Sequence, residues 1–230
     1  MVEDGTIDYC IAGASDASLV PLMLAGYHNM KALTLERLRP FDKKRSGFLV
    51  GEGAGLVVLE TFESARARGA KIYGEILGSR YGAEPHDGIK FDLKSDALSR
   101  TLRGLCEVSS IRADEIDYVN LHGTGTVHGD LYETVQMKQF FGKKAYQIPM
   151  SSIKGMTGHM LGASGAVEII ASLLGMKEGY APATVGLERP DPACDLDYIP
   201  GVRRALTINT AVSVSMGFGG HVAAIALGKV

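Results

Sequence analysis

Two histidines set in glycine-rich turns are the residues of this 230-residue sequence best placed for chemistry. His122 stands in Asn120-Leu121-His122-Gly123-Thr124-Gly125-Thr126, and His159 closes Ser151-Ser152-Ile153-Lys154-Gly155-Met156-Thr157-Gly158-His159. A third such segment is Ser215-Met216-Gly217-Phe218-Gly219-Gly220-His221. Each follows a predicted strand, and in an open α/β sheet the loops beyond the strand carboxyl ends converge on one edge, where ligands bind. Catalysis by the histidines competes with two other uses of such turns. His122, His128, Asp130 and His159 are possible metal ligands, but their spacing matches no familiar zinc pattern, so no metal is expected. Gly123-Thr124-Gly125-Thr126 could cradle a phosphate, yet it lacks the Gly-Lys-Ser/Thr ending of a P-loop, which argues against a nucleotide. Cys10, Cys106 and Cys194 are an odd number without close pairing, which argues against a disulfide framework or a cysteine zinc site.

The elements that must position these turns alternate along the chain. Strands are expected at Thr6–Ala14, in the glycine-interrupted run 47–60, at Ile72–Ser79, Ile116–Leu121 and Ile148–Met150, and near 208–214 and 222–227. Helices are expected at Ser18–Leu33, Phe62–Arg68, Ser95–Val108, Asp130–Phe141 and Gly162–Met176, the second ending at Gly69 as a C-cap. The segment Tyr81–Lys90 reads as a surface loop. Alternation of this kind predicts a layered α/β fold. Glycine, 29 of 230 residues, is nearly twice its usual share of about 7%, so many positions need tight turns or close approach. A net charge of −2 gives no global field toward nucleic acid or an anionic membrane. No apolar run approaches the roughly 20 residues of a membrane span, and the start Met1-Val2-Glu3-Asp4-Gly5 does not read as a signal peptide, so the cytoplasm is the expected location.

Five motifs in one order are more specific than any part: Arg39-Pro40-Phe41-Asp42-Lys43-Lys44-Arg45-Ser46-Gly47-Phe48, Gly51-Glu52-Gly53-Ala54-Gly55, His122-Gly123-Thr124-Gly125-Thr126, Lys154 with Gly158-His159-Met160-Leu161-Gly162-Ala163, and Gly217-Phe218-Gly219-Gly220. Together they resemble the elongating β-ketoacyl-[acyl carrier protein] synthases of fatty-acid and polyketide synthesis, from near residue 5 to the last strand. The resemblance implies a thiolase-like layered αβαβα fold, here incomplete, with residues 1–80 the end of a first half and 81–230 a complete second half. It implies decarboxylative Claisen condensation of a malonyl thioester with an acyl thioester, without a cofactor. His122 and His159 match the family's histidine pair, whose N–H groups can hold the thioester oxyanion that forms as CO2 leaves. Lys154 matches its active-site lysine, and Glu133 the acidic residue that pairs with that lysine. Thr124 and Thr126 fall where relatives bond the phosphopantetheine arm, Phe218 where a phenylalanine gates the acyl pocket, and Lys31 where a basic residue meets the acidic carrier protein.

The family's reactive cysteine belongs to a small-residue motif just before the strand that begins here near Ile7. None of Cys10, Cys106 or Cys194 has that context, so the nucleophile is expected from a missing segment or a partner chain. The expected partners are acyl carrier protein and a cysteine-bearing ketosynthase half, in a homo- or hetero-oligomer. The alternative is a non-catalytic subunit comparable to the chain-length factors that pair with polyketide ketosynthases. Departures at Ser46, Met216 and His221-Val222 bear on chain-length specificity.

Overall fold

The apolar runs pair into sheets as their patterning predicts in the computed structural model, which describes residues 1–83, 88 and 91–230. The strands are β1 (Tyr9–Asp16), β2 (Gly53–Glu60), β3 (Glu75–Ala83), β4 (Tyr118–Asn120), β5 (Met150–Ser151), β6 (Tyr180–Ala181), β7 (Arg204–Ala205), β8 (Thr210–Gly217) and β9 (His221–Gly228). The helices are α1 (Pro21–Asn29), α2 (Phe62–Ala67), α3 (Ala97–Val108), α4 (Val127–Phe141), α5 (Lys154–Thr157) and α6 (Ser164–Glu178). Five strands form one mixed sheet in the order β3-β9-β8-β4-β5, with β8, β4 and β5 parallel and β9 antiparallel to both neighbours. β1 and β2 form a separate antiparallel pair, with Tyr9 opposite Glu60 and Asp16 opposite Gly53.

Helical spacing decides which face each helix buries. Leu98, Leu102 and Leu105 of α3 point into a core shared with Met137 of α4 and with Val119, Val212 and Val214 of the sheet. On the opposite face of the sheet, Tyr118, Ala211 and Leu227 meet Met176 of α6, with Ile169 and Leu173 packed alongside. The other side of α6 touches β2, where a side chain on Gly55 would begin 3.1 Å from the Val167 amide nitrogen and 3.0 Å from Ile170 Cδ1. Glycine at 55 is what lets the helix approach this closely. The layers therefore run α3 and α4, the five-stranded sheet, α6, then the β1–β2 pair.

Element ends differ from the sequence expectation where local chemistry intervenes. α1 stops at Asn29 rather than Leu33 because Lys31 takes φ +54 and the Lys31 and Ala32 amides turn back to the carbonyls of His28 and Tyr27. α4 begins at Val127, ahead of the apolar pattern that starts at Leu131, because the Thr126 hydroxyl caps it by accepting from the Gly129 amide at 3.2 Å. β3 runs on through Tyr81–Ala83, which were expected to open a loop. The rest of that expected loop, apart from Gly88, lies outside the described residues.

One face of the β1–β2 pair carries Tyr9, Ile11, Leu56 and Val58, each more than half exposed, and no residue of the neighbouring α1 is buried. An apolar face of this kind, with open strand edges beside it, favours association. The chain on its own is expected to sediment as dimers or larger species, and Ile11→Lys with Val58→Glu to shift it toward monomer. A wild-type chain that stays monomeric at tens of micromolar would contradict this.

Candidate active site

β8, β4 and β5 are parallel, so the turns that follow them, 218–220, 121–126 and 152–159, all leave the same end of the sheet. That common end brings His122 and His159 together, ring centroids 5.3 Å apart and planes at 83°. The turn carrying His122 is fixed by backbone contacts. Its amide donates to Glu133 Oε1 at 2.6 Å, and the next amide, of Gly123, donates to Glu133 Oε2 at 2.8 Å. Gly123 sits in the left-handed region at φ +41, where a Cβ would lie 2.4 Å from that of Ser152, so glycine is required here.

Lys154 is completely buried, and its ammonium donates to the His122 carbonyl oxygen at 2.6 Å and forms an ion pair with Glu168. This corrects the sequence expectation that Glu133 is the partner of Lys154. Glu133, on α4, spends both carboxylate oxygens on the His122 and Gly123 amides, whereas α6 brings Glu168 directly onto the ammonium. A signal for Glu168 was present: it is the one charged residue in the otherwise small and apolar run 161–176, and an acid there has to find a buried partner. Asp130, considered above only as a metal ligand, is a second supporting acid. It accepts from the Phe41 amide at 2.7 Å and the Gly125 amide at 3.0 Å, tying the His122 turn to the 39–48 segment. Burial pushes Asp130 up to about 6 and Glu133 up to about 8, against the pull of the amides that each accepts from.

Both imidazoles are held with Nδ1 as the acceptor. The Leu161 amide, which can only donate, reaches His159 Nδ1 at 3.2 Å, and the Lys154 ammonium, also only a donor, lies 3.5 Å from His122 Nδ1. The proton of each neutral ring is thereby left on Nε2. Both rings are neutral: desolvation, then the Lys154 charge, holds His159 down to about 3, and desolvation with Lys154 and His159 holds His122 well below its ordinary value. Two neutral Nε2–H donors side by side are suited to a localised oxyanion.

The remaining predicted residues take the following places. The hydroxyls of Thr124 and Thr126 lie 3.0 Å apart, with that of Thr126 also capping α4. Phe218 is exposed on its glycine turn and stacks on Tyr27 at 6.3 Å; Tyr27 meets Phe48 edge-on at 5.3 Å, and Phe48 meets His159 at 5.2 Å. This aromatic run, from the histidine to the glycine turn, was not anticipated for Tyr27 and Phe48. Burial, then the charge of Asp16, raises the Tyr27 phenol. Lys31 is exposed just past the end of α1, one turn beyond Tyr27. Of the four possible metal ligands, His128 is engaged with the Phe91 carbonyl and Asp130 with backbone amides. Among the described residues no group of three or more His, Cys, Asp or Glu is arranged to hold a metal ion, and no helix is long and apolar enough to cross a membrane.

The family model described as "Beta-ketoacyl synthase, C-terminal domain" matches residues 73–188, half of the chain, and that of the N-terminal domain matches residues 1–65. The chain belongs to the β-ketoacyl synthase family. It is 41% identical over 235 residues to "3-oxoacyl-[acyl-carrier-protein] synthase 2" of Synechocystis sp., covering 100% of this chain and 56% of that protein. Its fold matches a ketosynthase solved as a "type II PKS acyl-carrier protein in complex with its ketosynthase bound to the hexaketide", with TM-score 0.96, 34% identity, and coverage of 100% of this chain and 58% of the other. It also matches "The ishigamide ketosynthase/chain length factor", with TM-score 0.95, 33% identity, and coverage of 100% and 56%. The thiolase-like layered α/β fold expected from the sequence is thus the fold observed. The chain spans a little over half the length of these relatives.

In this β-ketoacyl synthase chain the neutral histidines give a direct pH expectation. A lowered pKa means that protonation begins only as pH falls toward the depressed value, so the ring signals of His122 and His159 should stay flat between pH 5 and 8. Nuclear magnetic resonance titration of the labelled chain measures this, and a midpoint near 6.5 for either site histidine would contradict the environment described.

Proposed function

We propose that the chain supplies the two histidines and the lysine of a 3-oxoacyl-[acyl carrier protein] synthase, an acyltransferase of fatty-acid or polyketide synthesis. The observation that carries the proposal is the pair of neutral imidazoles, each with a donor on Nδ1, so that each ring keeps its proton on Nε2, where no hydrogen bond is made among the described residues. In the decarboxylation step the bond between the malonyl C2 and its carboxylate breaks. CO2 departs, and the bonding pair passes to the thioester carbonyl as an enolate oxygen, which the two N–H donors stabilise. The enolate carbon then attacks an acyl thioester held on a cysteine. Collapse of the tetrahedral intermediate expels the thiolate and leaves a 3-oxoacyl chain on the carrier.

The nucleophilic cysteine belongs, in this reading, to a segment or partner chain other than the one described. An acyl-accepting cysteine needs its pKa lowered by a nearby positive group or helix N-terminus. Burial instead raises the thiols of Cys106 and Cys194, and Cys10 lies within β1 with its sulfur against the Ile11 carbonyl. Thr124 and Thr126 are assigned to the phosphopantetheine arm, Phe218 to gating of the acyl pocket, and Lys31 to the acidic carrier protein. That a related ketosynthase was solved with an acyl-carrier protein supports this choice of partner. We assign residues 1–80 to the end of one thiolase-like half and 81–230 to the other, with a cytoplasmic location. A chain-length-factor role fits less well, because His122, Lys154 and His159 are all retained.

Incubating the chain with an acyl thioester and weighing its peptides tests the cysteine assignment. No stoichiometric acylation of Cys10, Cys106 or Cys194 is expected. A stable adduct on any of the three would show that this chain carries its own nucleophile.

A further inference from the structure

We propose that Asp16 is a positioning residue for His159: its carboxylate anchors the turn 160–163, and the Leu161 amide in that turn fixes His159 as the Nε2–H tautomer. Asp16 ends β1, on the side of the strand that turns away from solvent, and its Oδ2 accepts from the Gly162 amide at 3.1 Å across 146 residues of sequence. The residue just before that amide, Leu161, is a non-glycine held at φ +45. A left-handed backbone at such a residue is strained and persists only where neighbouring contacts enforce it. In the turn so held, the Leu161 N–H points back to His159 Nδ1 at 3.2 Å.

The second group on that nitrogen cannot do the same work. The Ser164 hydroxyl, 3.0 Å from His159 Nδ1, can either donate or accept, so it suits both tautomers. Only the Leu161 amide discriminates between them. Without the Asp16 anchor the 160–163 turn can shift as a unit and rotate the Met160–Leu161 peptide, withdrawing the Leu161 N–H and leaving Nδ1 to the serine alone. The other oxygen of Asp16, Oδ1, is buried without a hydrogen-bond partner, so the Gly162 amide supplies the one hydrogen bond to this carboxylate among the described residues. The consequence for catalysis rests on the proposed oxyanion role of His159, whereas the tautomer itself does not.

The test is a two-bond proton–nitrogen correlation spectrum of the uniformly 15N-labelled full chain, with His159 assigned by its loss in His159→Gln. The wild type is expected to show a bare Nδ1 and a protonated Nε2. Asp16→Ala should raise the Nδ1–H share of His159 by about tenfold, the scale for losing one biasing hydrogen bond. His122 in the same spectra should be unchanged, and Asp16→Asn, which keeps an acceptor oxygen, should restore the wild-type pattern. Should Asp16→Ala fail to fold, Asp16→Ser, whose oxygen stops one bond short of Gly162, replaces it with the same expectation. An unchanged His159 pattern in whichever of these two variants folds overturns the proposal. A shifted tautomer with undiminished CO2 release in a completed enzyme would instead overturn the oxyanion role and leave the positioning role standing.

Discussion

Alanine at His122 or at His159 is expected to slow CO2 release from malonyl-acyl carrier protein by about 100-fold or more, roughly 3 kcal/mol, the scale for removing one donor from an oxyanion site. The measurement requires the chain completed by a cysteine-bearing amino-terminal half, with labelled CO2 counted separately from acylation of the cysteine. Decarboxylation develops charge on the thioester oxygen and does not use the thiolate, so acylation should suffer less than CO2 release in both variants. The two losses should not multiply in the double variant if the N–H groups act on one oxygen as a unit. CO2 release at the wild-type rate in both single variants, with acyl transfer abolished, would mean that the histidines serve the cysteine and that the oxyanion assignment is wrong.

Lys154→Met is the change with the largest expected effect on stability. It leaves Glu168 buried without a counter-charge and removes the donor from the His122 carbonyl. Breaking one side of a buried pair costs about 3–5 kcal/mol, whereas replacing both partners with apolar groups of similar size is often close to neutral. For a chain of this size that is a melting temperature lower by roughly 6–20 °C in the single variant. Lys154→Met with Glu168→Leu should recover most of it. The double variant should still decarboxylate slowly, because the ammonium beside His122 Nδ1 is gone and no other donor among the described residues holds the proton of that ring on Nε2. Calorimetry and the CO2 assay on the same preparations separate the two roles. A double variant as unstable as the single would show that Lys154 matters through packing, and one with full decarboxylation would show that it does not set the state of His122.

The sequence by itself determined what depends on neighbours along the chain. Helical spacing of Leu98, Leu102 and Leu105 specified which side of α3 is buried, and apolar runs bounded by glycine specified the strands. Five ordered motifs were enough to select the family to which the chain belongs and to nominate His122, Lys154 and His159 as its candidate site residues. Contacts between distant segments were not legible. That Lys154 pairs with Glu168 and not Glu133 depends on how α4 and α6 flank the sheet, and the spacing of 14 or 21 residues does not encode it. The same holds for the aromatic run from His159 through Phe48 and Tyr27 to Phe218, which joins four separate segments. It holds also for the reach of Asp16 to Gly162. The lowered pKa and the fixed tautomer of each imidazole followed from tertiary structure alone, because packing removes water from the ring and sets a donor against one of its nitrogens.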